Sequence, residues 1–554
     1  VVVGTTQKED ETKEVVGLKL YPSLVEPNVP ANNIGNLDEA VQRRIFEKQR
    51  KPEITSKQRK ELDTVVKSLI KHTFSKSNIL EFIRENPSLC DMRSKRWSIE
   101  RFEKAVSDLY ADLAPEYAPK PQVKKEQMPN GKPPRMILSD GDRAQIMSLV
   151  VMSCMEACMK KCHKYRTTKG AEPFVQLDKL LTAMRHPGGE GRKGATVEGD
   201  GKSWDTTCSL EIRQEIENKI INHILDILLA NGMQDPVWAE ALKKVSTQAF
   251  LDLKMKEKGR ESDRVARWII AAIRRSGDRG TSILNWITNF VCWVAALFGN
   301  DSTSVNNIVT SSRKNRVYKD RWGIMRFFTF FFEGDDSLLF VEPRPSQEQW
   351  DEVTEYWRQL GFNMTLFVRL GEGDVDETVA TAVGHRIEVD ALGPTGLFCP
   401  EITRAFEGGP FSTSGAAITA ARELDGKKCR MLAATAMASR SYLFAGKVPT
   451  LSEKFLSEAL AAAGEQPITL DAQGEMERKF GLESGGDLFD KIATRNAEAV
   501  SSEVSEVDFL RRLGYPATEV ELQDFVSTDW KLCLADVKYF RDHVPPGWGG
   551  DMNL

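Results

Sequence analysis

The chain has 554 residues, 41% of them hydrophobic and 28% charged, which excludes both a single core and wholesale disorder and implies several packed subdomains. A net charge of −4 excludes a uniformly basic nucleic-acid-binding surface, so any such surface has to be local. The nine cysteines include no CxxC pair and six histidines show no metal spacing, so a reducing compartment and structural histidines are expected.

The opening VVVGTTQKEDETKE lacks the basic-then-apolar pattern of a secretory leader, and the absent initiator methionine is read as a processed or truncated product. Residues 1–37 are mixed and contain prolines, which predicts an extended arm laid over the surface. From Asp38 to Leu113 the periodicity is helical, with SKSNILEFIRENPSL and SIERFEKAVSDLYADL each opened by a serine cap signal. A breaker-rich basic loop follows, and between Lys120 and Arg135 it carries five basic residues and one acid.

A long apolar helix is predicted from about Ala144 to Lys164. On it Cys154, Cys158 and Cys162 recur every four residues beside His163, a buried thiol stripe, since free cysteine packs like a small hydrophobe. ATVEGDGKSWD predicts a strand running into a loop, and EIRQEIENKIINHILDILL a helix. The cations Lys254, Lys256, Lys258, Arg260 and Arg264 fit either an RNA-backbone contact or a solvated hairpin.

RRSGDRGTSILNWITNF predicts a turn feeding a helix. Its apolar part, Trp286 to Gly299, is short of a membrane span, contains Asn289 and reads as buried. Beyond the next hairpin, SQEQWDEVTEYWRQLG predicts a helix and HRIEVDALGPTGLF short strands. From about Ser412 the chain is Ala-rich and mainly helical to its end.

That hairpin, FFTFFFEGDDSLLFVE, sets Asp335 and Asp336 in one of the most apolar stretches of the chain, where charge costs free energy unless something pairs with it. Phe327 to Phe332 and Leu338 to Val341 read as buried strands joined by a tight Gly334-Asp335 turn. A carboxylate at such a tip is rigidly held, and a hard-cation site needs a second one from elsewhere. VEGDGKSWD supplies it, with Asp200 at a strand end and Asp205 five positions on. Between the two acidic blocks, Ser276-Gly277 is a turn, and Thr281 and Asn285 share one helix face. Two carboxylate segments and a polar helix face suit in-line phosphoryl displacement with two metals. Asp205 alone also fits a helix N-cap.

These blocks resemble motifs A, B and C of the viral RNA-dependent RNA polymerases, in that order along the chain. The first is D-x4-D (Asp200, Asp205), the second SG-x3-T-x3-N (Ser276, Gly277, Thr281, Asn285) and the third GDD (Gly334, Asp335, Asp336). KSWDTT resembles the flavivirus-like and tombusvirus-like positive-strand groups. KPPRMI, with Lys132 and Arg135, resembles the basic motif F, and Lys124 and Lys125 lie just before it. GFNMTLFVR resembles motif D, with Arg369 where lysine is usual, and GLFCPEI resembles motif E, with Phe398 and Cys399 at the primer grip.

The resemblance implies an α+β right hand: an arm (1–37), fingers (38–195), a palm (196–402) with a fingers insertion at about 210–275, and a thumb (403–554). It implies Asp200, Asp335 and Asp336 as ligands of Mg²⁺, with Mn²⁺ as a substitute. Asp205, Ser276, Gly277, Thr281 and Asn285 would bind the ribose, and Lys132 and Arg135 the triphosphate. Lys124, Lys125, Phe398 and Cys399 would touch RNA. Arg369 would stabilise the leaving pyrophosphate by charge, since arginine stays protonated at working pH.

The partners implied are template and product RNA, NTPs and other viral replication proteins. The location implied is the host cytoplasm, in membrane-associated replication complexes reached through partners without a span of its own, with the virion as a second place. A reverse transcriptase and a noncatalytic RNA-binding replication scaffold are the competing readings. The polar Asp205 and Asn285 argue against the first, and the uncompensated buried carboxylates against the second.

Overall fold

The structure, a computed structural model, describes residues 2–7, 13–21, 28–94, 97–111, 119–128, 131–168, 173–187, 191–259, 262–276, 279–311, 316–464, 485–500 and 503–515. It is a mixed α+β protein organised around a five-stranded antiparallel sheet. Across that sheet the strands run Asn363–Arg369, Ala195–Lys202, Asp336–Glu342, Met325–Glu333 and Val317–Lys319.

The phenylalanine run follows from the sheet being covered on both faces. Side chains alternate across a strand. Phe328, Phe330 and Phe332 therefore join Leu339, Val341 and Val197 in a large core shared with the N-terminal helices. Phe327 and Phe331 point the other way, with Leu338 and Phe340, onto the helix Pro173–Met184 and the sheet Val379–Ala382, His385–Asp390, Gly393–Pro400. Neither face meets solvent, so the run carries no polar alternation.

One helix, Thr281–Phe298, crosses the first face. It starts five residues earlier than its apolar stretch announces, and by length and composition it could span a bilayer, yet 89% of it is buried inside the protein. It packs against the helices Ser56–His72 and Gly141–Cys162. The serine caps fall where the sequence places them: Ser75 accepts from the Asn78 amide at 3.3 Å and Ser98 from Arg101 at 3.2 Å. Cys154 and Cys158 are buried on the helix Gly141–Cys162, and His163 beside them bonds Thr73 Oγ1 at 2.8 Å.

Three expectations change and a fourth gains detail. The predicted single helix after Asp205 is two, Leu210–Glu215 and Glu217–Ala230, broken at Ile216. The basic loop contains an antiparallel pair, Lys120–Val123 with Met136–Ser139, because Val123 and Leu138 reach a small core that prolines and charges had masked. The Lys/Arg-rich segment is a ribbon, Phe250–Glu257 with Arg264–Ala271. Its Lys256 and Arg267 are compensated by Asp263 and Asp252 at 2.7 Å each, which fits the solvated reading.

The arm is also anchored, beyond lying on the surface. Its strand Lys13–Lys19 pairs with Phe411–Ser412, and Tyr21 is buried with its hydroxyl donating to Ala405 O at 2.6 Å. Further along, Asn32 Oδ1 accepts from the Val123 amide at 2.9 Å, so the arm ties the C-terminal helices to the basic loop. Those helices, including Gly426–Phe444, Pro449–Ala463, Gly485–Ala497 and Glu506–Arg512, have their own core around Phe406, Tyr442 and Phe455.

Candidate active site

The acidic turn is a two-residue hairpin. Asp336 pairs with Glu333, leaving Gly334 and Asp335 at the tip, and Gly334 takes φ +57°, a left-handed value glycine adopts without a Cβ clash. The turn rests on the crossing helix. Asn289 Nδ2 donates to Gly334 O at 3.2 Å, and its Oδ1 accepts from Ser337 Oγ at 3.0 Å. Ser337 Oγ in turn accepts from Trp293 Nε1 at 3.0 Å.

The second acidic segment reaches the same edge through the sheet. Ser337 pairs with Gly199, so Asp336 and Asp200 stand side by side one step beyond, on adjacent strands. On its other side Asp200 pairs with Thr365. The chain then leaves the sheet sharply. Ser203 adopts φ 54°, and Trp204 folds back so closely that a Cβ on Gly201 would lie 2.6 Å from its ring. Trp204 stacks on Phe362 at 4.5 Å between ring centres, which fixes the short turn Trp204–Thr207 carrying Asp205.

Asp205 faces Asn285. Two donors, Trp204 Nε1 at 3.0 Å and Arg274 Nε at 2.8 Å, occupy Asn285 Oδ1. Neither can accept, so the amide is oriented with its NH₂ as the donor toward Asp205. Arg274 is buried in a fork with Glu217, at 2.7 and 2.5 Å, and its backbone N–H donates to Asp205 O at 2.9 Å.

The electrostatics follow from four carboxylates in one cleft. Burial, and next the adjacent Asp336, push Asp335 up to about 7; Asp205 adds to the rise and Arg135 opposes it. Burial also raises Asp336, with Arg404 opposing and Asp200 and Glu333 reinforcing. Asp205 is raised by burial against the pull of Arg274, Arg135, Asn285 and Lys124. Arg135 and Lys124, both salt-bridged to Glu126 at 3.5 and 2.8 Å, thus act on the acidic cleft from the basic loop.

The donor set fits a hard divalent cation: oxygen ligands whose mutual repulsion a cation relieves. Among the described residues no three His, Cys, Asp or Glu side chains form a ready-made metal cage.

Beside the cleft lies a cavity of about 910 Å³ bounded by Ser203 and Thr365. Its wall carries seven basic side chains, among them Arg44, Lys48, Lys132, Arg135 and Arg358, against three glutamates. Lys132 is exposed, and its charge acts on Glu407. Lys125 is exposed too, and its carbonyl accepts from Thr413 Oγ1 at 3.1 Å, which links the basic loop to the C-terminal block.

One of the expected site residues has other work. Thr281 Oγ1 donates to Arg275 O at 2.8 Å and braces the turn before the helix. Ser276 is half-buried in that turn, while Gly277 and Arg260 lie outside the described residues.

Arg369 is a correction. It pairs with Thr196, four residues along the strand from the Asp200–Thr365 pair, or roughly 13 Å at the usual strand rise. There its Nε donates to Glu198 at 2.7 Å and its Nη1 to Asp376 O at 2.6 Å. An antiparallel strand that begins beside the site ends away from it, so the last residue of GFNMTLFVR is held by Glu198 at the far end of the strand from Asp200.

Phe398 and Cys399 are a second correction. Both are fully buried, Phe398 against the central sheet and Cys399 among the C-terminal helices, because their strand is covered on both sides. Neither can touch RNA.

Sequence reasoning missed Trp204, Glu217, Arg274, Asn289 and Glu198. Arg274 was signalled only as a cation closing the apolar WIIAAI, and Glu217, 57 residues away, had no signal among the charges around it. No protein-family model matches the chain, and no curated protein matches its sequence.

Proposed function

We propose that this chain is an RNA-templated RNA polymerase that replicates and transcribes a viral RNA genome by two-metal nucleotidyl transfer. The observation that carries the reading is the meeting of Asp200 and Asp336 on adjacent strands, with Asp335 at the tip and Asn285 and Arg135 facing the cleft. In this reading the central sheet is the palm of a right hand (196–402, with a fingers insertion at about 210–275). The N-terminal helices are its fingers (38–195) and the C-terminal helices its thumb (403–554). The arm and the Lys125–Thr413 link, which join the two sides around the cleft, support that assignment.

Asp200, Asp335 and Asp336 would hold Mg²⁺, or Mn²⁺ in its place. Such ions, when bound, activate a hydroxyl nucleophile and neutralise phosphate charge. The chain's own residues supply the rest. Asp205 and Asn285 offer an acceptor and a donor to a ribose 2′-hydroxyl, which has both capacities. Arg135 grips triphosphate oxygens bidentately, and the basic cavity beside the cleft concentrates NTPs. The Asn289 bonds hold the carboxylates still while the 3′-oxygen attacks the α-phosphorus and the bond to pyrophosphate breaks. The partners in this reading are template and product RNA and other viral replication proteins, which bring the enzyme to membrane-associated complexes in the host cytoplasm.

The test is incorporation on a homopolymer RNA template with NTPs or dNTPs and Mg²⁺ or Mn²⁺. RNA synthesis by the wild type, abolished in Asp335→Asn with RNA binding kept, is the expected result. DNA synthesis alone would make the chain a reverse transcriptase, and RNA binding without any synthesis would make it a scaffold.

A further inference from the structure

The Asp205–Asn285 pair is set by a buried ion pair that the proposed activity does not itself call for. Arg274 and Glu217 are each almost fully buried. Every bond from Arg274 goes to a segment of the site or its support. Its backbone holds the Asp205 carbonyl, its Nε holds Asn285, and its two terminal nitrogens hold Glu217. Nη2 also approaches Cys208 Sγ at 3.2 Å, at the end of the Asp205 turn. Glu217 opens the helix Glu217–Ala230, where a carboxylate suits the helix dipole. It also takes a long bond of 3.5 Å from Thr288, three residues beyond Asn285.

We infer that Arg274, held by Glu217, is the positioning residue that sets sugar selectivity, by fixing the donor face of Asn285 toward Asp205. The inference rests on the polymerase reading. An amide has two faces of opposite character, and a flipped Asn285 would present an acceptor beside the Asp205 carboxylate. Two acceptors cannot both be satisfied by one hydroxyl proton, and the pair would repel each other. With Trp204 and Arg274 both donating to Oδ1, that flip costs two buried bonds. A ribose 2′-hydroxyl then gives its proton to Asp205 and accepts from Asn285. A 2′-deoxyribose forfeits both of these bonds and leaves Asp205 and Asn285 only each other. Trp204 shares the hold on the amide, whereas the Arg274 side chain alone links it to Glu217.

The experiment compares UTP with dUTP on a poly(A) template in wild type, Arg274→Lys, the double variant Arg274→Met/Glu217→Leu, and Asn285→Ala. The double variant removes both charges of the pair together, so neither is left buried without the other. Lysine keeps the charge but cannot bond Asn285 and Glu217 in a fork.

The expected result is a ribo/deoxy ratio of kcat/KM lowered on the order of tenfold in both Arg274 variants, the loss of about one good hydrogen bond. Adding Asn285→Ala to the double variant should lower the ratio little further, because both changes act through one amide. Equilibrium binding of UTP and dUTP to the protein–RNA complex should show the same narrowing. A ratio left at the wild-type value while both efficiencies fall together overturns the inference and makes the pair purely structural. A wild type that incorporates neither nucleotide overturns the polymerase reading instead, and this inference with it.

Discussion

Asn289 holds the acidic turn by both ends of its amide: Nδ2 donates to Gly334 O at 3.2 Å while Oδ1 accepts from Ser337 Oγ at 3.0 Å. It is fully buried in the middle of the crossing helix, so the turn is referenced to an element that is itself almost wholly buried. Asp335, between those two contacts, has its backbone fixed before any ligand arrives.

Replacing Asn289 with Ala therefore takes the acceptor from the Ser337 hydroxyl, which keeps only its bond from Trp293, and the donor from the turn carbonyl, at a cost of about 1–3 kcal/mol in stability. The larger effect is expected on chemistry, because carboxylates must be held to within about half an ångström. Single-turnover incorporation should slow markedly while template affinity stays at the wild-type value. A variant that loses stability but keeps the wild-type single-turnover rate would show that the turn holds itself.

Arg135 acts on both Asp205 and Asp335 from the basic loop, and its guanidinium half-faces solvent. Arg135→Lys keeps the charge and loses the fork. The apparent KM for NTPs should rise more than template binding weakens. Equal losses in steady-state KM and in RNA affinity would mark it as a general RNA contact.

Arg369 and Glu198 form a pair at 2.7 Å in which Glu198 is almost buried and also accepts from the Thr381 amide at 2.6 Å. Arg369→Leu strands that carboxylate, a loss of about 3–5 kcal/mol for a buried pair and less here because Arg369 is 20% exposed. Chemical denaturation should show the loss, and Glu198→Gln added to it should recover part. Rates of single-nucleotide addition should stay at the wild-type value. A slowed chemical step in a fully folded Arg369→Leu protein would return the residue to the reaction.

Lys447 lies buried with Nζ 3.8 Å over the Phe398 ring, and burial lowers its pKa to about 8. The unfolded chain titrates near 10.4. Between about 8 and 10.4 the unfolded state thus holds a proton the folded state lacks, so this group makes stability rise with pH across that window. Lys447→Met removes the dependence. Its stability relative to wild type should be greatest near pH 7 and shrink toward pH 10 in paired denaturation curves. A difference independent of pH would show that Lys447 titrates normally.

Local pattern made much of this legible. The hairpin strands, the tight turn, the serine caps, the crossing helix and the thiol stripe each follow from neighbours within a few residues, where propensity, capping and alternation act. The acidic pair stood out because charge inside FFTFFFEGDDSLLFVE needs a reason, and Asp200, Asp205 and Asn285 stood out by spacing. What the sequence could not carry is which face of a strand or end of a sheet a residue meets. Arg369 and Asp200 sit on neighbouring strands, yet antiparallel register sends them to opposite ends. Phe398 and Cys399 looked like contact residues until both sides of their strand were seen to be covered. Arg274, Glu217 and Trp204 gain their roles only where three separate segments meet around Asn285. Those bonds join residues far apart in the chain, and burial makes them count. Only the packed structure decides which charges lose water together, and that sets which amide faces Asp205.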